Sequence, residues 1–233
     1  MGCGTFDLAT NADIDCGSPS ALDDMWAGGA TLSCWVNLAS NGQNSFGRFF
    51  DKDNNTDAGW LLSCTNITGL AFGRGFSTNQ GYWRTPTSSM SFGTDIHILV
   101  SYDEDSTANN PSIYINNSLQ SLTEDSAPSG TASSDASQNL LMGNRPDNNA
   151  PCDGVIGHVK FWNRILSAAE RATDYRGGMV GYGLFAWWPL MDGAPGVSAS
   201  GASSIRDVVG GNHGTPSNSP VFQEDFSKIK MMV

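Results

Sequence analysis

Asp51, Asp53, Asn55 and Asp57 stand at alternate positions in the run Asp51-Lys-Asp-Asn-Asn-Thr-Asp57. That spacing lets a short loop turn carboxylates and amides toward one hard cation, and calcium is the ion such oxygens suit. The match to a twelve-residue calcium loop is partial. Thr56 stands where the sharp-turn glycine belongs, and Leu62 where the closing glutamate belongs. A solvated hairpin tip made of the same turn residues is the competing reading. Asp147, Asn149 and Asp153 form a second, sparser oxygen cluster.

A second chemistry is written into Asn79-Gln-Gly-Tyr-Trp-Arg84. Sugar rings stack on aromatic faces while amides and guanidinium groups hold their hydroxyls. Asn79, Tyr82, Trp83 and Arg84 are therefore the candidate glycan-binding residues. The alternative is that Trp83 plugs the edge of a core.

Catalytic constellations are scarcer. Glycoside hydrolysis uses two carboxylates flanking the scissile bond. The chain has four glutamates, Glu104, Glu124, Glu170 and Glu224, and none lies on a strand two or four residues from another carboxylate. His97 and His158 fall in strand patterns and His213 in a glycine-rich tail, with no Gly-x-Ser-x-Gly elbow. No phosphate loop or dinucleotide fingerprint is present. The expectation is a protein without catalytic residues.

These groups must be positioned by strands. The 233 residues carry 27 glycines and only 15% charged residues, the composition of many strands and turns. Thr31 to Leu38 alternates, with Leu32, Cys34, Val36 and Leu38 on one face. Asp95 to Tyr102 alternates likewise, and Ser112 to Asn116 ends in a hairpin turn. Arg48 to Asp51 and Gly59 to Cys64 read as a hairpin around the Asp51–Asp57 loop. Leu70 to Gly73 and Leu140 to Gly143 read as short strands. Thr123 to Ser137 has no apolar periodicity and is expected to be a surface loop. Val155 to Trp162 alternates, and Ser167 with Glu170 has the spacing of a capping box that opens a short helix, stopped by Gly177 and Gly178.

Five of these segments, in this order, resemble the laminin-G-like branch of the concanavalin A-like superfamily. Phe6-Asp-Leu8 resembles its first strand. Thr31-Leu-Ser-Cys-Trp-Val36 is similar to the family's Thr-Ile-Ser-x-Trp-Val. Ile98-Leu-Val-Ser-Tyr-Asp103 and Ile113-Tyr-Ile-Asn-Asn117 are similar to Val-Ala-Val-Thr-Tyr-Asp and Leu-Tyr-Val-Asp-Gly. The strand before Asn163-Arg-Ile-Leu-Ser-Ala-Ala-Glu170 completes the set. The resemblance implies an all-β jelly-roll β-sandwich of two antiparallel sheets with one short helix. Residues 1–233 are read as a single domain, in which 183–233 is a C-terminal extension whose strands pair back onto the sandwich.

The net charge of −11 argues against nucleic acid as a partner, because phosphate binding needs clustered Lys and Arg. No apolar run is long enough for a membrane helix, and Met1-Gly-Cys-Gly-Thr-Phe6 lacks a secretory pattern. Five cysteines without CxxC spacing read as free thiols rather than a zinc site. Synthesis without a signal, with the resemblance to modules found on phage and viral structural proteins, points to a virion-surface decoration or fibre protein. It would dock on neighbouring subunits, as a homo-oligomer or in a capsid, with glycans as a second contact. A calcium-dependent lectin is the alternative, and a glycoside hydrolase ranks third.

Overall fold

The computed structural model describes residues 4–53 and 58–226. Its strands, in chain order, are β1 (Gly4–Phe6), β2 (Asp13–Asp15), β3 (Ala30–Leu38), β4 (Arg48–Asp51), β5 (Trp60–Cys64), β6 (Leu70–Arg74), β7 (Gly81–Arg84) and β8 (Ile96–Tyr102). They continue with β9 (Ser112–Ile115), β10 (Ser118–Leu119), β11 (Thr123–Ser126), β12 (Leu141–Met142), β13 (Gly154–Trp162), β14 (Leu184–Trp188), β15 (Thr215–Ser217) and β16 (Val221–Phe222). One helix, α1 (Ala168–Tyr175), lies between β13 and β14.

Two antiparallel sheets of eight strands result. The first runs β10-β9-β8-β3-β13-β1-β16, with β14 also paired to β13; the second runs β11-β7-β6-β5-β4-β12-β2-β15. This is the jelly-roll sandwich the sequence resembles. The alternation of β3 buries Leu32, Cys34, Val36 and Leu38 between the sheets, as the period of two requires. Phe50, Trp60, Leu62, Phe72 and Trp83 meet them from the second sheet. Trp26 closes the aromatic centre, edge-on to Trp60 at 5.4 Å and to Phe72 at 5.1 Å.

In β13 the simple alternation fails. Ile156 faces the core, and so do Val159 and Phe161. One extra residue between Gly157 and Lys160 shifts the register against β3, with His158 at φ 50°. This β-bulge rotates the strand's second half by one residue. It also marks the change of neighbour, since Gly154–Ile156 pair with β1 and Val159–Trp162 pair with β14.

Helix α1 starts as its sequence predicts. The Ser167 side chain accepts from the Glu170 backbone while the Glu170 carboxylate accepts from Ser167 N at 2.9 Å. Gly177, at φ 76°, lets the chain turn back so that Gly178 N reaches Thr173 O at 2.9 Å. The helix covers the outer face of the first sheet. Tyr175 stacks on Trp35 at 5.9 Å, and the buried Asp174 accepts from Lys160 Nζ at 2.7 Å and pairs with His97 Nε2 at 3.0 Å.

The chain beyond Gly183 joins both sheets: β14 pairs with β13, β15 with β2, and β16 with β1. Asp207 organises it, accepting hydrogen bonds from the backbone of Trp187, Val209, Gly210 and Asn212. Part of the expected loop at Thr123 to Ser137 is a strand. Thr123–Ser126 forms edge strand β11, which is mostly exposed and so shows no apolar period. Strand β2, unread in the sequence, is only three residues long and lies between two other short strands.

Candidate functional site

The outer face of the second sheet carries the polar side chains. Pairing register sets one row across it: Ser126, Tyr82, Gly73, Leu61, Asp51, Leu141, Asp15 and Thr215. From Tyr82 on β7 to Asp15 on β2 is five strand spacings, about 24 Å.

At the β2 end the face opens into a trough of 460 Å³ whose lining includes Asp13, Asp15, Gln138, Asn139, Leu141 and Arg145. Leu141 of the two-residue strand β12 makes its floor, and the chain on either side of β12 makes its walls. Asn144, fully buried, pins one wall by accepting from Arg145 N at 2.9 Å and Ala150 N at 3.2 Å. Arg145 is steadied by Asp147, Nη2 to Oδ2, at 2.9 Å. Asp15 braces the other wall. Its Oδ2 accepts from Asn139 Nδ2 at 3.0 Å and its Oδ1 from Gly17 N at 2.7 Å. Burial, helped by the charge of Asp15, pushes the Asp13 carboxyl up to about 6 against a hydrogen bond with Ser217 that lowers it. The trough therefore offers amides, carboxyls and a guanidinium at one place, which is the donor and acceptor set that grips hydroxyls.

The four residues read as a sugar platform divide. Tyr82 and Arg84 do lie on the outer face; Trp83 does not. The strand period turns Trp83 inward, where it is 1% exposed, stacks on Phe72 at 6.2 Å and donates Nε1–H to Asn110 Oδ1 at 2.8 Å. No sugar reaches its ring in this fold, and its place is the core-plugging alternative. Asn79 Nδ2 donates to Ala127 O at 2.6 Å and Ser126 Oγ at 3.0 Å, fastening the turn after β11. Arg84 is held in a two-point pair with Asp125. Tyr82 and the trough share one surface but stand at opposite ends of it.

The calcium reading meets a different neighbour. Asp51 is 1% exposed; its Oδ2 accepts from Arg48 Nε at 2.9 Å and its Oδ1 from Asp53 N at 3.0 Å. Both oxygens are engaged, and a guanidinium beside them repels a cation, so Asp51 does not fit as a ligand. Asn55 and Asp57 lie outside the described residues. Among the described residues no group of three or more His, Cys, Asp or Glu could hold a metal ion.

Burial raises the Asp51 carboxyl to about 7, despite Arg48. A carboxyl raised in the folded chain stabilises it below the unfolded value, and that share is lost as pH rises through the folded value. Asp13 and Asp51 should therefore make the protein less resistant to urea as pH climbs through about 6 and about 7. Asp51→Asn should flatten that decline; parallel pH profiles for wild type and variant would refute this account of Asp51.

Glu104 and two of the histidines are held in local contacts. Glu104 is buried in an ion pair with Arg74. His158 Nε2 pairs with Asp225 at 2.9 Å, and His213 Nδ1 accepts from Asp207 N at 3.2 Å. Cys16, Cys34, Cys64 and Cys152 are free and buried, and burial pushes the Cys64 thiol up to about 12, which keeps it unreactive. Cys3 lies outside the described residues. No helix among the described residues is long and apolar enough to cross a membrane.

The family model described as the concanavalin A-like lectin/glucanases superfamily matches residues 10–170. No curated protein matches the chain. Among solved structures it is similar to a Bacteroides ovatus protein that carries a provisional carbohydrate-binding name, with a TM-score of 0.65 at 15% identity. That match covers 96% of this chain and 60% of the other, so the chain spans well under two thirds of that relative. It is also similar to the binding domain of paraclostridial mosquitocidal protein 1, with a TM-score of 0.50 at 15% identity, covering 71% of this chain and 41% of that one. A SAP-like pentraxin from Limulus polyphemus matches with a TM-score of 0.48 at 13% identity, over 74% of this chain and 85% of its own. At these identities the likeness is one of fold.

Proposed function

The chain belongs to the concanavalin A-like lectin/glucanase superfamily, and from that membership we propose that it is a glycan-binding module that holds a neutral oligosaccharide in the trough without hydrolysing it. The observation that carries this reading is the convergence of Asp13, Asp15, Gln138, Asn139 and Arg145 on one open floor. The carbohydrate-binding name of the Bacteroides ovatus neighbour supports it. Neutral glycans are favoured over anionic ones by the net charge of −11 and by two aspartates in the trough wall.

Hydrolysis is disfavoured by the state of the two carboxyls. Asp13 and Asp15 share a strand face, but both Asp15 oxygens already accept hydrogen bonds. Asp13 is only 8% exposed. A retaining enzyme needs a nucleophile with an oxygen free to attack.

Asn139→Ala should weaken glycan binding about tenfold, the worth of roughly 1.4 kcal/mol, and no reducing ends should appear on incubation. An array on which the wild-type protein binds no neutral glycan sinks the reading, and released reducing ends would make the protein a hydrolase.

A second reading is docking on a protein partner, as at a phage or virion surface. Ile165, Met179 and Tyr182, at 51%, 55% and 81% exposure, flank α1 in the chain, and exposed apolar side chains of this kind suit such a partner. Residues 1–3 and 227–233 lie outside the described residues. Light scattering on the sample used for the array separates the readings: a fixed oligomer supports subunit docking, and a monomer removes it.

A further inference from the structure

Lys52 is fully buried, and so is Asp135, 83 residues away in the chain. The Lys52 Nζ lies 2.8 Å from Asp135 Oδ1, 2.7 Å from the Asp135 backbone oxygen and 3.0 Å from Asp23 Oδ1. Ser18 Oγ, which donates to Asp23 Oδ1 at 2.8 Å, completes the cage at 3.4 Å. Asp135 is clamped on its far side by Asp24, whose N donates to Asp135 Oδ1 at 2.8 Å and whose Oδ1 accepts from Asp135 N at 2.9 Å. The second carboxyl oxygen, Asp135 Oδ2, is buried and has no partner.

A buried lysine between two aspartates is ordinarily an ion pair, but three features of this one exceed that need. Two carboxyls share one ammonium, which leaves a surplus negative charge that a proton on one of them removes. Burial raises the Asp135 carboxyl above its ordinary range, against the lowering influence of Lys52, the Asp24 backbone and the charge of Arg74. The orphan oxygen, which no neighbour holds, is the place for that proton, and a hydroxyl there is what a carboxyl must lose in order to be acylated onto an amine.

We propose that Lys52 and Asp135 react to form an intramolecular amide between Nζ and Cγ. Asp23 takes a proton from the Lys52 ammonium, and the free amine attacks Cγ of the neutral Asp135 carboxyl. The tetrahedral adduct collapses as nitrogen gives up a second proton and the former Oδ2 hydroxyl leaves as water. One C–N bond forms, one C–O bond breaks, and no oxidant or reductant is needed. An amine held 2.8 Å from the Asp135 carboxyl in a water-excluded site replaces activation by a cofactor. The product would tie the end of β4 to the segment before β12. It would serve as the covalent staple that the four free cysteines do not provide.

Mass spectrometry of the full chain tests this directly. The wild-type protein should be lighter than its sequence by one water. Trypsin should fail to cut after Lys52 and, because Pro146 blocks cleavage after Arg145, should release one branched product joining residues 49–74 to residues 85–160. Lys52→Arg and Asp135→Ala should both stand at their encoded masses. Asp23→Asn, which keeps both reacting groups, should carry the bond in a smaller fraction of molecules. The branched peptide distinguishes this bond from dehydration elsewhere. Wild-type protein at its encoded mass, with normal cleavage after Lys52, overturns the proposal whether or not any variant folds.

Discussion

Trp83→Ala is expected to remove about 3–5 kcal/mol of unfolding free energy. The ring fills the centre of the sandwich, tilted against Tyr102 at 5.5 Å and stacked on Phe72. The strand is shaped around it: a Cβ on Gly81 would sit 2.2 Å from the Trp83 ring, so glycine there is a packing requirement. The substitution also leaves the Asn110 side chain without its indole donor. Urea unfolding followed by tryptophan fluorescence measures the loss. Glycan affinity at temperatures where the variant stays folded should be unchanged. A loss of stability under about 1 kcal/mol would mean that the ring does not hold the core together.

The second large effect belongs to Asp174. Its carboxylate bridges Lys160 and His97 beneath α1, and none of the three side chains is more than 7% exposed. Asp174→Ala leaves the Lys160 ammonium buried without its anion, which costs about 3–5 kcal/mol in sites of this kind. The partners also set the pH behaviour. Hydrogen bonding from His97 and the charge of Lys160 outweigh desolvation and hold the Asp174 carboxyl well below its ordinary range. Its contribution is therefore present above that ordinary range and lost as acid carries the pH down through the depressed value. Urea midpoints should show wild type and Asp174→Ala far apart near neutrality and converging in strong acid. A constant gap across that range would refute the assignment.

Much of the fold could be read in the sequence, because long strands with one buried face repeat every two residues. Strand β3 and the Ser167–Glu170 capping box are examples, and the order of such segments was enough to identify the family. The trough was not legible. It rests on β2, β12 and β15, each three residues or fewer, which is too short for a period to show. Glutamate, the residue that marks a paired-carboxylate site most plainly, is absent from its lining. Asp13 and Asp15 alternate around Ile14, and that spacing was the signal available. Trp83 misled for the opposite reason. It sits between Tyr82 and Arg84 in a polar neighbourhood, and only the strand period separates the ring that faces inward from its outward neighbours. The bulge at His158 has no sequence signature of its own; it follows from a strand that must serve two different partners along one side.

That arrangement of partners bears on how the protein is made. Strand β1 pairs with β13 and β16, and β2 pairs with β12 and β15. Strands early in this sequence are thus completed by strands late in it. These pairings join segments far apart in sequence, so closure of the sandwich waits on long-range contacts and is a slow event. During that interval the unpaired early strands are the segments most exposed to mispairing, and chaperone demand during expression should concentrate there.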